Sequence, residues 1–519
     1  MTNTGFPSQR PPFLGELRIV LVILAVLGLV LSGCNLPQNA HRTFISSQQQ
    51  TEIAGILNPE GLDPTPTPSA PLSSPGTLPE GVTLPDGYRV YITQQGDTLP
   101  ALALRFGVAV NEIQSAQDLS PEGLLPPGTV VWLPDTLEET LPAGLFLPDS
   151  EINYGPTVGD FDTLAFSDIM GGYLNYYTEE IHGAVFSGPE IVQLVAVEFS
   201  INPRLLLAFL EFRSGWVTSF PGGASRDLYP LGFDAGADTG LYKELQIVAK
   251  LLAQGFYGWR DGSLVTVDFY GGDSARLDPT INAGTAAIWR LFSILYTLEG
   301  VDWALSGPDG FLALYQQWFG DPWEMAATVE PYLLETSHQP DLVFPFAPGE
   351  DWSLTAGPHA TWQTGTPRGA IDFAPIIEET RCSVSSRWVT AAAPGLVVRA
   401  NRGVVAIDLD GDGDEGTGWV LIYLHVAAKD RVPVGTWLEL DDPVGHPSCE
   451  GGIATGTHLH FTRKFNGEWL GVGGPLPFIV DGWQAIAGEE RYEGWLVKGE
   501  DVISASPNGE GDSLVIRED

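Results

Sequence analysis

The spacing of apolar residues divides the chain into regions with different predicted structure. Tyr88, Val90 and Ile92 recur at a spacing of two, as in a β-strand. Beyond residue 340, apolar runs such as 404–407 and 419–424 are separated by turn residues and predict antiparallel strands. Between these regions, apolar residues recur at helical spacing, which predicts helices over 191–199, 203–212, 240–254, 283–299 and 310–319. We therefore expect a multidomain α+β protein.

The region 87–135 predicts a small strand–helix–helix–strand unit. After the first strand, the sequence Gly96-Asp97-Thr98-Leu99 offers either Asp97 or Thr98 as the cap of a helix. Gly107 is expected to end that helix. Residues 110–116 then predict a second short helix, and residues 128–134 predict a closing strand.

This unit resembles the LysM module over its whole length. Its Gly-Asp-Thr-Leu sequence and its final Leu133-Pro134 match the pattern of that family, although Gln117 stands where Asn is usual. The resemblance implies a βααβ fold that binds the N-acetylglucosamine-containing glycans of peptidoglycan or chitin. The alternative is a small structural domain without a ligand.

The first 33 residues predict an export signal. Arg10 and Arg18 precede an apolar run from Ile19 to Leu31, which is shorter than the about 20 residues that span a bilayer. The run ends in Leu31-Ser32-Gly33-Cys34, which resembles the bacterial lipobox and implies that Cys34 is lipidated and anchors the mature chain to the membrane. An uncleaved membrane anchor is the alternative. Under either hypothesis the rest of the chain is extracytoplasmic and faces the cell wall, and the Pro-, Thr- and Ser-rich residues 34–86 form an extended linker.

The charge balance excludes one class of partner. The chain of 519 residues carries 65 acidic and 25 basic residues, a formal charge of −40, and no stretch is strongly basic. Nucleic acid binding, which depends on neutralising phosphates, is therefore not expected. The 61 glycines and 41 prolines indicate much loop and linker, while 44% apolar residues still allow packed cores.

The helical region 136–340 contains a weak resemblance to the start of a lytic transglycosylase, or lysozyme-like, domain. The resemblance is carried by Ile201-Asn202-Pro203 and by the stretch from Leu210 to Trp216. In that family a glutamate before the serine acts as general acid, but Arg213 occupies that position here and cannot cycle a proton. Glu211 is two residues away, roughly 200° around the helix. We therefore expect an aromatic-rich domain without catalytic activity, which positions glycan or braces its neighbours.

The cysteines suggest a disulfide. If Cys34 is lipidated, only Cys382 and Cys449 are left, and two cysteines in an exported chain most simply pair with each other. The alternative is two buried thiols. A zinc site built from them is not expected, because neither has a second cysteine nearby.

Five of the eight histidines fall between His359 and His460, in the predicted C-terminal domain 341–519. His458 and His460 lie two apart in a strand pattern, so both side chains should point into one space. Asp372 is flanked by apolar residues in another strand pattern, and a buried carboxylate needs a partner such as a cation. His425 ends a strongly apolar strand. Two imidazoles and one carboxylate match a three-ligand catalytic zinc site with an open fourth position.

This arrangement resembles the lysostaphin/LytM-type zinc endopeptidases that cut peptidoglycan peptides. The resemblance covers about 345–480 and implies that His359, Asp372 and His460 bind one zinc ion, while His458 and His425 take part in the chemistry. Most of that family has a shorter spacing, which would put the first ligand at Arg368. The twelve-residue gap from His359 to Asp372, with its Gly-Pro-His lead-in, fits the β-lytic metallopeptidase branch instead.

Two further features have alternative interpretations. The acidic sequence from Asp408 to Asp414 joins two apolar runs, as an acidic hairpin tip or as a calcium-stabilised loop. It is not an EF-hand, because the twelfth position is Trp419. His446, three residues before Cys449, is expected to be a loop histidine.

The sequence thus predicts an exported zinc endopeptidase of cell-wall peptidoglycan, targeted to glycan by LysM. The hypothesis from another class is a catalytically silent, wall-binding lipoprotein that scaffolds or activates a separate hydrolase. The first is favoured because all three expected ligands and both further histidines are present.

Overall fold

The computed structural model describes residues 83–220, 229–233, 239–376 and 381–518. The predicted export signal, Cys34 and almost all of the predicted linker lie outside these residues. In the part of the chain that is described, no helix is both long and apolar enough to cross a membrane.

The N-terminal unit (residues 83–135) has its own core and a sheet of three strands in the order β1–β3–β2. The cap of its helix is Thr98, whose side chain accepts a hydrogen bond from the amide of Ala101. Asp97 is buried instead and accepts hydrogen bonds from Tyr91 and Arg105. The elements are β1 (Tyr88–Ile92), α1 (Leu99–Phe106), a 3₁₀ turn (Val110–Glu112), β2 (Gln114–Ser115) and β3 (Val130–Pro134).

The prediction of a second helix over 110–116 is wrong. Only Val110–Glu112 forms a helical turn, and the next residues pair with β3 as a short strand. Gln114 accepts a hydrogen bond of 2.8 Å from the indole of Trp132, which draws this segment into the sheet. Tertiary pairing thus overrides a weak local preference for helix.

The helical region (136–340) follows the predicted periodicity, with local starts and stops that the sequence explains. Asn202 caps the helix that begins at Pro203, and Gly215 ends it in the left-handed conformation. The helix predicted over 283–299 already ends at Ser293. The Ser293 carbonyl accepts a hydrogen bond from the backbone amide of Tyr270, outside the helix. The helices are α2 (Thr163–Met170), α3 (Gly188–Phe199), α4 (Pro203–Ser214), α5 (Leu241–Arg260), α6 (Ala283–Ser293), α7 (Val301–Ser306), α8 (Phe311–Phe319) and α9 (Pro322–Ala326). Two small hairpins join them, formed by β4 (Thr178–Ile181), β5 (Ala184–Ser187), β6 (Thr266–Asp268) and β7 (Ser274–Arg276).

The two polar residues at the lysozyme-like stretch, Glu211 and Arg213, make hydrogen bonds to neighbouring loops. The Glu211 carboxylate accepts hydrogen bonds from the amides of Val217 and Thr218 and from the Thr218 hydroxyl. Arg213 donates to the Leu231 carbonyl and to the Tyr296 hydroxyl. Both side chains therefore fasten loops to α4.

The C-terminal region (341–518) is an antiparallel β structure. Its main sheet has the order β14–β11–β12–β13–β16–β9–β8–β22, with β17 paired to β16. The predicted tail is folded: 479–504 form a second sheet in the order β18–β19–β20–β21, and β22 joins the main sheet beside β8. The strands are β8 (Asp351–Ala360), β9 (Arg368–Pro375), β10 (Val389–Thr390), β11 (Gly395–Asn401), β12 (Val404–Asp408), β13 (Trp419–Leu424), β14 (Trp437–Leu438), β15 (Pro443–Gly445), β16 (Leu459–Phe465), β17 (Glu468–Trp469), β18 (Ile479–Val480), β19 (Trp483–Ala487), β20 (Gly494–Lys498), β21 (Asp501–Ser504) and β22 (Leu514–Ile516).

The two faces of the main sheet belong to different cores. On one face Ile407, Leu421 and Phe461 pack within the C-terminal region. On the other face Ile422 and Leu424 join the core of the helical region. This alternation follows from the period of two along a strand. The helical region therefore covers part of one face of the sheet.

Hydrogen bonds fasten the helical region to the turn between β16 and β17. The indole of Trp469 donates to the Phe199 carbonyl, its amide donates to the Tyr257 hydroxyl, and the Ser200 hydroxyl donates to the Gly467 carbonyl. Buried groups of this kind need their partners. Separation of the two regions would leave these groups unpaired.

Candidate functional site

Three neighbouring strands bring the predicted residues together. In the register of the sheet, Asp372 on β9 lies opposite His460 on β16 and opposite Ala356 on β8. His460 also lies opposite Leu424, the last residue of β13, so His425 follows at the end of that strand. Cross-strand partners share a face of the sheet. Asp372 and His460 therefore lie on the same face as Leu424, which is the face that the helical region partly covers.

His359, Asp372 and His460 form a compact, buried cluster. His359 Nε2 lies 3.0 Å from His460 Nδ1, and Asp372 Oδ1 lies 3.3 Å and 3.2 Å from these two nitrogens. One ligand atom from each of the three residues lies within 4.8 Å of the others. The predicted ligand set is thus assembled by the fold, including His359 from the twelve-residue spacing.

The hydrogen bonds around this cluster leave lone pairs pointing inward. The Nδ1 of His359 faces the Gly357 carbonyl at 2.9 Å, and the Nε2 of His460 faces the Thr361 carbonyl at 2.9 Å. In the neutral imidazoles these outer nitrogens carry the proton, so both inner nitrogens are acceptors. Asp372 Oδ1 is buried, and the two imidazole nitrogens are its only polar neighbours that are shown among the described residues. Three converging atoms of this kind fit a metal cation, and two nitrogens with one carboxylate oxygen suit zinc.

The electrostatics of the cluster are those of a carboxylate between imidazoles. Burial alone would raise the pKa of Asp372, but His359 and His460 outweigh it and hold that pKa well below its ordinary value. Burial opposes the charged form of His359 as well, yet Asp372 raises the pKa of this histidine. For His460, burial dominates and lowers the pKa. The carboxylate is therefore ionised at neutral pH, as a metal ligand must be.

His458 and His425 lie beside the cluster. The Nδ1 of His458 lies 2.8 Å from the Gly456 carbonyl, and its Nε2 lies 3.6 Å from Asp372 Oδ2. The Nδ1 of His425 lies 2.8 Å from the Glu450 carbonyl, and the two rings are 4.4 Å apart between centroids. Burial, with the neighbouring His458 and His460, lowers the pKa of His425 to about 3, so this imidazole is neutral at neutral pH. In both residues a backbone carbonyl occupies Nδ1. The Nε2 of His458 faces the cluster, and the His425 ring lies 6.3 Å from the His460 ring between centroids.

A loop that sequence reasoning did not single out closes the site beside His359. The Tyr492 ring lies 4.8 Å from the ring of His359, and its backbone has a φ of 73°. Arg368 joins this loop to β8, because it donates to the carbonyls of Gly488 and Glu490 in the loop and to that of Pro358 on β8. Arg368 stands where the shorter spacing of the family would put the first metal ligand. Here it fixes the position of this loop instead. No local sequence signal marks Tyr492, because it lies in the loop between β19 and β20 and meets His359 only in the folded chain.

Cys382 and Cys449 form the predicted disulfide, with a sequence separation of 67 residues. The bond ties the segment after β9 to the segment that leads to His458. Glu450, directly after Cys449, supplies the carbonyl for His425. The crosslink therefore lies one residue from a group that holds a site histidine.

The two other candidates are separate from this site. Asp408 is buried at the tip of the β12–β13 hairpin and accepts the amides of Asp410, Gly411 and Gly413. The acidic segment forms the tip of this hairpin, and three of its carboxylates lie close together. Calcium at this tip is unsupported. His446 packs on Trp388 with ring centroids 4.0 Å apart, as expected of a loop histidine.

Comparison with known families gives two matches. Residues 91–134 match the LysM domain, and residues 145–332 match the LasA N-terminal domain. The second match covers most of the helical region; the lysozyme-like resemblance of its short stretch stays a prediction.

Among curated proteins, the chain is similar to Protease LasA of Pseudomonas aeruginosa. The proteins of strains PAO1 and UCBPP-PA14 are each 26% identical to it over 301 residues. The similarity covers 53% of this chain and 66% of the relative, so it spans just under two thirds of the relative's length.

Solved structures give local similarities. Pseudoalterin, a deep-sea M23 metalloprotease, is 19% identical with a TM-score of 0.28, over 32% of this chain and 96% of that chain. The catalytic domain of lysostaphin from Staphylococcus simulans is 21% identical with a TM-score of 0.18, over 24% and 89%. A zinc-containing peptidase from Vibrio cholerae is 16% identical with a TM-score of 0.20, over 27% and 41%.

Proposed function

We propose that this chain is a zinc metalloendopeptidase that hydrolyses peptide bonds in cell-wall peptidoglycan. The observation that carries the proposal is the convergence of His359 Nε2, His460 Nδ1 and Asp372 Oδ1 in one buried cluster. The 26% identity to Protease LasA supports a peptidase as well. The substrate is inferred from the LysM-like unit in the same chain, because LysM modules bind the glycan of peptidoglycan.

His359, Asp372 and His460 would hold the metal. The Gly357 and Thr361 carbonyls orient the two imidazoles, as outer partners of metal-bound histidines do. When bound in such a site, zinc polarises a carbonyl and lowers the pKa of a bound water to about 7.

His458 and His425 would act on the substrate. In both, a backbone carbonyl holds Nδ1, so both are fixed in the tautomer that leaves Nε2 as the acceptor. A neutral imidazole in this form accepts a proton at Nε2 and, once protonated, donates it to the leaving amine. The protonated ring also favours negative charge on the reacting carbonyl oxygen.

The remaining regions would deliver this activity to the wall. The N-terminal unit would bind N-acetylglucosamine-containing glycan, and the helical region would be a non-catalytic brace, which the structural roles of Glu211 and Arg213 support. Lipidation at Cys34 would anchor the chain outside the cytoplasmic membrane. Radiolabelled fatty acid that is incorporated by the expressed chain, and not by a Cys34→Ser variant, would support that anchor.

The test of the function uses the purified soluble chain from residue 35 onward, without the export signal and Cys34. We expect about one zinc per chain, and loss of turbidity and appearance of new amino termini when purified peptidoglycan is added. A chelator should abolish hydrolysis and added zinc should restore it, while binding to peptidoglycan persists. Protein that binds peptidoglycan but neither holds zinc nor releases amino termini would favour the catalytically silent scaffold instead.

A further inference from the structure

The turn between β11 and β12 links the helical region to the site. Arg402 in this turn reaches into the helical region, where its Nη2 lies 3.5 Å from the Glu198 carboxylate. Its guanidinium lies 5.6 Å from the ring centre of Phe186 and 6.0 Å from that of Tyr242. The Tyr242 hydroxyl donates to Glu198, which completes the pocket. An arginine between two aromatic rings and a carboxylate is held in place by ion pairing and cation–π attraction together.

The backbone of this turn lies directly against the segment that follows the disulfide. A Cβ on Gly403 would fall 2.6 Å from the Glu450 carbonyl, and a Cβ on Gly451 would fall 2.3 Å from the Arg402 carbonyl. Neither glycine could carry a side chain without moving backbone. The two segments therefore cannot shift independently.

The same two segments hold His425. The Glu450 carbonyl lies 2.8 Å from His425 Nδ1, and the Gly403 carbonyl accepts the amide of Val426 at 2.9 Å. His425 itself has a φ of 70°, a conformation that costs energy for a residue other than glycine and persists only where its surroundings hold it. Its position thus depends on one contact to its ring and on another to the backbone of the next residue.

We infer that Arg402 is a positioning residue: the helical region, by holding Arg402, fixes the turn on which Glu450 rests and so fixes the tautomer and orientation of His425. This inference rests on the proposed function, in which His425 acts on the substrate. It gives the helical region a part in the reaction, although the residues proposed to act on the substrate lie in the C-terminal region. Displacements of about 1 Å at a reacting group can cost a hundredfold in rate.

The experiment compares Arg402→Ala and Arg402→Lys in the soluble chain from residue 35 onward. Release of amino termini is measured over a series of concentrations of purified peptidoglycan. For Arg402→Ala we expect about one zinc per chain, an unchanged half-saturating wall concentration and a maximal rate reduced at least about tenfold. Arg402→Lys keeps the charge and should recover part of the rate.

The partner in the helical region provides the second test. Glu198→Gln removes the charge that faces Arg402 and should reduce the maximal rate in the same way, while the Arg402→Ala/Glu198→Gln double variant should lose no more than Arg402→Ala alone. The matched control is Arg387→Ala, which removes another arginine–glutamate pair of the C-terminal region, with Glu350 at 2.7 Å. It should leave the rate unchanged.

A readout independent of activity separates this inference from the proposed function. The chain has eight histidines, so ¹⁵N-histidine labelling gives few imidazole signals, and His425→Gln assigns the signal of His425. In the wild type we expect the Nδ1–H tautomer, and in Arg402→Ala a mixture of tautomers or a broadened signal. If the wild type is inactive but Arg402→Ala still changes the His425 signal in this way, the proposed function is overturned. The inference that Arg402 positions His425 would then still stand. An unchanged His425 signal together with an unchanged rate in Arg402→Ala would overturn the inference.

Discussion

Asp372 and His460 lie directly opposite each other on adjacent antiparallel strands, with Asp372 Oδ1 3.2 Å from His460 Nδ1. This separation is set by main-chain pairing of β9 with β16 rather than by flexible loops. Two of the three expected ligands are therefore fixed by the sheet, and His359 joins them from the next strand. A site with such support should hold its geometry before metal binds.

His460→Ala should lose both zinc and activity. The change removes one of the three converging ligand atoms, so only His359 and the Asp372 carboxylate are left to bind the metal. Metal analysis after dialysis, together with release of amino termini from peptidoglycan, checks this. The control is His446→Ala, which alters a histidine that packs on Trp388 and should keep its zinc. A His460→Ala protein with full zinc content would contradict the ligand assignment.

His458→Ala and His425→Ala should keep zinc and lose activity, by about a hundredfold or more. Both rings lie beside the three-residue ligand cluster, but neither belongs to it. The same two measurements are made side by side with His460→Ala. If His458→Ala loses zinc while His460→Ala retains it, the roles within the pair are reversed. If neither variant changes hydrolysis of the wall, the scaffold hypothesis is favoured.

Much of the candidate site could be predicted because its residues carry local signals. The i, i+2 spacing puts His458 and His460 on one side, and the structure places Leu459 and Phe461 in the opposite core. The flanking apolar residues of Asp372 likewise indicate a buried strand. These signals depend only on strand periodicity, which a sequence displays directly.

Other parts of the site depend on contacts that no local pattern encodes. Tyr492 approaches His359 from the loop between β19 and β20, and Arg368 reaches across to hold that loop. The Arg402 turn meets Glu450 and Gly451 through close backbone approach. The failed prediction of a helix over 110–116 has the same origin, because cross-strand pairing decided the outcome. Long-range pairing of this kind becomes visible only in the folded chain.

Loss of the disulfide should destabilise the C-terminal region. Cys382 and Cys449 close a loop with a separation of 67 residues, for which restriction of the unfolded chain predicts about 4 kcal/mol. We expect a Cys382→Ser/Cys449→Ser double variant to show an earlier unfolding midpoint in guanidinium chloride. Thiol titration of the unfolded, unreduced wild type should find neither cysteine free. Two reactive thiols in that titration, or an unchanged midpoint, would contradict the prediction.

A buried ion-pair network lies between the acidic hairpin and the main sheet. Both oxygens of Glu415 accept hydrogen bonds of 2.7 Å from Arg399, and Lys464 donates to the same carboxylate at 2.8 Å. Burial alone would raise the pKa of Glu415, but the two cations outweigh it and lower that pKa to about 2. The folded state therefore favours the ionised carboxylate more strongly than the unfolded chain does.

The stability of the protein should depend on this carboxylate in a defined window of pH. Because the folded pKa lies below the ordinary value of 4.5, the contribution is complete above about pH 4.5 and disappears as the pH falls toward 2. The shift corresponds to about 3 kcal/mol at neutral pH. Glu415→Gln should therefore unfold at a lower denaturant concentration than the wild type at pH 7. The difference between the two denaturation midpoints, called the gap below, should narrow between pH 4.5 and pH 3. Glu500→Gln, at an exposed position, should show no gap at either pH. A gap for Glu415→Gln that stays constant from pH 7 to pH 3 would mean that shape rather than charge is lost.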